Sequence, residues 1–530
     1  MSRILERLAA GALITAICGS PAAAQKPSGI LKIYHWDSPP SMSIHEEVTI
    51  STNVPMMGVF NNLVLYDQHV TRSSLQSIVP ELAESWSWSE DGKALTFKLR
   101  KGVKWHDGKP FTAADVKCTW DLLAGRSEAK FRTNPRKSWY QNVESVTADA
   151  ADTATFHLKR PQPALLALLA SGLSPIYPCH VSPAEMRQHP IGTGPFKFVE
   201  FKPNESIKVE RNPNYWKPGR PYLDAIEYPI IKNRSTAMLA FISGKVDMAF
   251  PYEVTVPLLK ETKSQMPQAV CELHPTGVAR SLLVNRNAAP FDNADIRRAM
   301  ALSLDRRAFI DILSEGQDNI GGVMLPPPDG VWGMPADMLA SLPGYDPDVA
   351  KSRAEARRLM QKAGYGPDKH LSIKLTTRNQ PEFRDTSVVL LDQLKQVFID
   401  AELELVETPN WFPRLARREY QVAFIFSINS VDDPDQQLYE NYVCGAERNY
   451  MGYCNRELEK EFERQSVEPD QEKRKQLVWQ IDRQLQEDVV RPIIAHTRRA
   501  TCWHPDVKGL TILANSLYNG WRFEDLWLDR

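Results

Sequence analysis

Side chains able to do chemistry are spaced here in ways that argue against covalent catalysis. Asp432-Asp433-Pro434-Asp435 gathers three carboxylates in four residues, a pattern that suits a loop or helix cap better than an acid/base pair. His45-Glu46 opens as a zinc-protease helix does, but Thr49 stands where the second histidine is required. Gly192-Thr193-Gly194 opens like a dinucleotide loop, with Lys197 at the place of the third glycine. The chain holds neither a G-x-x-x-x-G-K-[ST] phosphate loop nor a G-x-S-x-G nucleophile elbow. Its 11 histidines do not cluster, so no metal and no other cofactor is expected. These residues describe a chain that is not an enzyme.

Of seven cysteines, Cys18 lies in the N-terminal segment and six remain: Cys118, Cys179, Cys271, Cys444, Cys454 and Cys502. None forms C-x-x-C, and the scatter is wrong for zinc. Cys444 and Cys454, ten residues apart in a Gly/Asn/Tyr-rich loop, are the best candidates for a disulfide, with two reduced thiols as the alternative. The pairing of Cys118, Cys179, Cys271 and Cys502 stays open.

The elements that must position these residues alternate irregularly between strand and helix, which favours α/β lobes. Leu31 to Tyr34 reads as a short first strand. Trp86-Ser87-Trp88, the turn Asp91-Gly92, then Leu95, Phe97 and Leu99 in alternation read as a β-hairpin. Ala154 to Leu158 and Ile207 to Val209 alternate likewise. Asp292 can cap a helix with Ile296, Met300 and Leu304 on one face. Val349 to Ala363 reads as a helix stopped by Gly364, and Pro469 opens another with Leu477, Ile481 and Leu485 inward.

The 530 residues exceed what one core usually organises. With 64 basic and 65 acidic residues, the balance asks for no nucleic-acid partner. The N-terminus reads as a secretory signal: arginines in Met1 to Arg7, an apolar stretch from Leu8 to Ile17, then small residues at Ala22 and Ala24. Residues 1–24 would be removed before Gln25, giving a periplasmic protein. A lipid anchor on Cys18 is the alternative, with Ala16-Ile17 a poor flank for it.

Five blocks in order resemble the extracytoplasmic solute-binding proteins of the oligopeptide, dipeptide and nickel group, family 5 of the ABC-transporter binding proteins. They are Val79 to Trp86 with Gly92 to Val103; Trp105 to Val116; Ile191 to Phe196 with Arg211 to Trp216; Asn285, Pro290-Phe291 and Ile296 to Arg306; and Ala363 to Tyr365, Trp411 and Asp433-Pro434. The resemblance implies a two-lobed periplasmic-binding fold, α/β, with a ligand cleft between lobes. The first lobe would combine residues 25–53, 174–279 and 491–530. A β-rich inserted domain would hold 54–173, the second lobe 280–490, and the family domain about 75–450. The chain would cross between lobes twice, near Val278 to Leu283 and near Val490 to His496, and close there on a ligand. Its partners would be a small-molecule ligand and the membrane subunits of an ABC permease, and the protein would be mostly monomeric. A ligand-sensing receptor subunit and a metal or metallophore binder are the alternatives.

By the same resemblance, Trp411 matches a tryptophan lining the peptide site, and Ser38 to Glu47 a cleft-edge loop from which Glu46 would reach the ligand. Tyr34, Trp36, Asn429, Ser430, Asp432 and Tyr518 complete the ligand-binding set. Peptide-binding members carry an aspartate three residues before the Asp/Glu of the Asp-Pro or Glu-Pro step, to pair with the α-ammonium. Here that position is Ser430, with Asp432 two residues away. A peptide with a free amino terminus is therefore expected to bind weakly.

Overall fold

The computed structural model describes residues 29–530; the expected signal segment and its expected cleavage point lie outside them. The first lobe carries a four-stranded sheet in the order Ile30–Lys32, Ala225–Pro229, Ser206–Arg211, Phe196–Lys202. The first pair is parallel and the rest antiparallel. A second four-stranded, antiparallel sheet runs Ala83–Trp88, Ala94–Leu99, Thr153–Leu158, Val143–Ala150. Its hairpin turns where Asp91-Gly92 predicts. Gly92 takes φ +66°, and Asp91 Oδ1 accepts from the Lys93 N–H at 3.0 Å. Leu95, Phe97 and Leu99 are buried in the core shared with helix Ala113–Leu123, whose Thr112 and Asp115 form a reciprocal cap. One continuous core joins this sheet to the first lobe, so the inserted segment is fused to that lobe rather than tethered.

The second lobe holds a five-stranded sheet ordered Ile399–Val406, Leu371–Arg378, Val422–Ile428, Val270–Val284, Ile493–Trp503. Its central strands are apolar on both faces, and alternate residues feed two cores. Leu282, Val284, Val422 and Phe424 face one core; Leu283, Ala423 and Ile425 face the other. The helix at the fourth block is capped by Asn293, not Asp292: the Asn293 side chain accepts from the Asp295 N–H, and the helix runs Ala294–Ser303. Leu304 falls just outside it. The helix expected after Pro469 begins at Gln471, capped by Asp470.

The lobes are joined by two neighbouring strands. Val270–Val284 and Ile493–Trp503 pair antiparallel, and the register breaks between Pro275 and Ala279. On one side of the break the pair bridges to first-lobe residues Met248 and Val254; on the other, Val278 to Val284 pairs with the second-lobe strand Val422–Ile428. Gly277 sits at the break with φ +68°, and a Cβ there would lie 2.9 Å from the Asn429 carbonyl oxygen. Thr276 and Thr497 meet hydroxyl to hydroxyl at 2.7 Å beside it. Cys271–Cys502 joins the two strands below the break; Cys118–Cys179 and Cys444–Cys454 are the other bonded pairs.

Candidate functional site

The joint opens onto a cavity of about 750 Å³, counting space continuous with solvent. Each lobe supplies one wall. Trp36, Val48 to Ile50, Phe250 to Glu253, Leu517 and Tyr518 come from the first lobe; Arg378, Glu382, Phe383, Trp411, Phe412, Phe426 and Arg448 come from the second. Thr276, Val278, Thr497 and Arg499 of the crossing strands form the floor. Broad apolar walls with a few polar groups are the usual make-up of a small-molecule site.

Strand ends and helix starts set the charged groups. Arg378 ends strand Leu371–Arg378 and spans the cleft to Asp37 of the first lobe. Its Nε donates to Thr408 Oγ1 at 2.7 Å, and that hydroxyl donates to Asp37 at 2.7 Å. The same guanidinium lies 5.2 Å from the Trp36 ring centre and 5.6 Å from that of Phe383. Arg499 pairs with Glu382, which also accepts from Arg280 at 3.3 Å. Burial, then the neighbouring Arg280 charge, lowers Arg499 to about 9. Burial pushes the Glu253 carboxyl up to about 7, against the pull of Arg234, Arg499 and Arg378. Arg448 is held by Glu440 in the loop closed by Cys444–Cys454.

Three of the eight residues singled out in the sequence, Trp36, Trp411 and Tyr518, line the cavity. The other five lie outside its wall. The Tyr34 hydroxyl points at Met238 Sδ, 3.7 Å away. Glu46 is buried and occupied, by Arg187 at 2.9 Å and by the Arg132 N–H. The Asn429 N–H donates to the Gly277 carbonyl at 2.7 Å. The Ser430 carbonyl accepts from Ser516 Oγ at 2.9 Å and Asn519 Nδ2 at 3.1 Å, which fastens this loop to the C-terminal segment. The Asp432 carboxyl, raised to about 7 chiefly by burial, lies near Asn515. Sequence reading passed over Arg378, Glu253, Arg448 and Arg499. Among the described residues no group of three or more His, Cys, Asp or Glu could hold a metal ion.

Residues 77–449 match the family model described as bacterial extracellular solute-binding proteins, family 5, middle. The chain belongs to this family. The glutathione-binding protein of Escherichia coli K12 is 28% identical over 335 residues, 62% of this chain; the match spans 60% of the relative's length. Di/tripeptide-binding protein 1 of Pseudomonas aeruginosa is 25% identical over 467 residues, 83% of each chain. The fold matches that of Haemophilus influenzae OppA, crystallised with the peptide RPPGFSPFR, with a TM-score of 0.83 over 95% of this chain and 99% of the other at 22% identity. In the family frame the Asp433-Pro434 step starts helix Pro434–Asn441, with Asp433 as its cap and bound to Arg474 at 2.8 Å. The step therefore serves the fold of the second lobe.

Proposed function

We infer that the protein is the substrate-binding component of an ABC importer: it captures a small solute by lobe closure, delivers it to a membrane permease and catalyses no reaction. The observation that supports this best is the cavity itself. Its walls belong to different lobes, and the main chain links those lobes through the paired strands Val270–Val284 and Ile493–Trp503, so closing about that joint buries whatever lies between. A ligand that contacts both walls favours the closed state by its differential affinity for it. The same joint supports a division into lobes at about residues 280 and 490. Export to the periplasm and action as a monomer complete the reading. The relatives named for glutathione, di- and tripeptides support a peptide-like or other small organic solute. Native mass spectrometry of protein released from the periplasm tests it. One small-molecule adduct per chain, lost on denaturation, is expected; a periplasmic pool without any adduct, and unresponsive to periplasmic extract, counts against it.

A further inference from the structure

At one end of the cavity positive charge is in excess. Arg448 lines the wall and is itself only 9% exposed. Two more buried arginines act on it. Arg136 lies behind the first-lobe wall, and among the described residues its guanidinium donates to main-chain carbonyls: Ile44 at 2.9 Å, His45 at 3.2 Å and Glu47. Arg491 donates to Ser427 Oγ at 2.9 Å, Asn441 Oδ1 at 3.1 Å and Met451 Sδ. Repulsion from Arg448 adds to burial in lowering both. The carboxylate that acts on Arg448 and Arg136 is Glu440. It is already shared, accepting from Arg448, from Trp139 Nε1 at 2.6 Å and from Gln436 Nε2 at 2.7 Å. Glu440 compensates Arg448, while Arg136 and Arg491 form no ion pair among the described residues, which leaves this corner short of negative charge, and uncompensated buried charge is costly.

The wall is also short of acceptors. Trp36 Nε1, Trp411 Nε1, Arg448 Nε and Arg499 Nε are buried with no acceptor among the described residues, and all four are donors. Three of the wall's five charged side chains are arginines, and one of its two carboxylates, Glu382, is taken by Arg499 and Arg280. We propose that the cleft selects an organic anion, an apolar or aromatic body carrying a carboxylate or phosphate, and that Arg448 on its disulfide-closed loop receives the anionic group. Trp36, Phe383, Trp411 and Phe426 take the apolar body. Recognition needs no free α-ammonium, in keeping with Ser430 at the position where peptide binders keep an aspartate.

This rests on the solute-binding reading above, and its test separates the two. A set of small organic carboxylates and phosphomonoesters is screened by melting temperature and calorimetry. Each acid is matched with its neutral amide or alcohol and with an amine of the same size. Binding should be confined to the acids. Arg448→Gln should weaken it roughly tenfold or more, since a charge-assisted bond is about twice as strong as a neutral one, and Arg448→Lys should restore part of it. If Arg448→Gln does not fold, Glu440→Gln serves instead: removing the internal competitor should tighten acid binding. Amides or amines that bind as well as the acids, or acid binding indifferent to both substitutions, overturn the inference and leave solute capture standing. Failure of every compound to bind overturns the inference, and the copurified adduct then decides the solute-binding reading on its own.

Discussion

The ion pair between Asp37 and Arg378 crosses the cleft, so its removal should act on closure rather than on the lobes themselves. Both side chains are buried, at 2% and 4% exposure, and are fully solvated only when the lobes part. In Asp37→Ala the closed form keeps the Arg378 guanidinium buried with Thr408 and the rings of Trp36 and Phe383 as its remaining neighbours. Removing one partner of a buried pair costs about 3–5 kcal/mol. The remaining bond and the two ring faces offset about 1 kcal/mol of that. A net loss of about 3 kcal/mol shifts the open–closed ratio on the order of a hundredfold, and apparent affinity falls with it. Calorimetry on the copurifying solute measures the affinity, and small-angle scattering measures the fraction closed. Asp37→Ala combined with Arg378→Met should recover much of the closure, because replacing both partners by apolar groups is often neutral. An unchanged Kd for Asp37→Ala, with a large fall in the melting temperature of the unliganded protein, would refute the reasoning and make the pair part of the fold.

Three further outcomes are expected. N-terminal sequencing should give Gln25 for protein released by osmotic shock; a lipid-modified Cys18 contradicts this. Cys271–Cys502 closes a span of 231 residues. Replacing both cysteines by serine should cost about 5 kcal/mol on the chain-entropy model, read by denaturant unfolding; a loss under about 1 kcal/mol contradicts it. Glu253 is raised from 4.5 to about 7 by burial. Between those values the folded state holds a proton that the unfolded state releases, so its contribution is full below pH 4.5 and is lost as pH rises through 7. Glu253→Gln should remove that slope, on the order of 3 kcal/mol between pH 4.5 and 7; identical pH–stability curves contradict the assignment.

The local elements were legible where one residue type dictates one geometry. Alternation in Leu95, Phe97 and Leu99 with Asp91-Gly92 specified the hairpin. Cap positions slipped by a residue where neighbours compete, as Asp292 did with Asn293, because both offer a short polar side chain. The crossing strands were legible through the family resemblance; no local pattern marks a register break at Thr276-Gly277. Trp411 was picked out through the family resemblance, and the structure places it with Trp36 and Tyr518 on the cavity wall. Arg378, Glu253, Arg448 and Arg499 were missed because single charged residues in unremarkable segments gain meaning only when folding brings four distant stretches together. The one local hint was Arg448 lying between Cys444 and Cys454. Glu46 was chosen from the loop matched to the family's cleft edge, and no local pattern signals that Arg187, 141 residues away, would occupy it.

Closure on a bound solute is the central claim, and small-angle scattering tests it most directly. Protein carrying its copurified solute is compared with the same protein after the solute has been stripped by unfolding and refolding. The account predicts a larger radius of gyration once the solute is gone, and return to the compact value when it is added back. The same radius in both states, with the solute tightly bound in one of them, would contradict it.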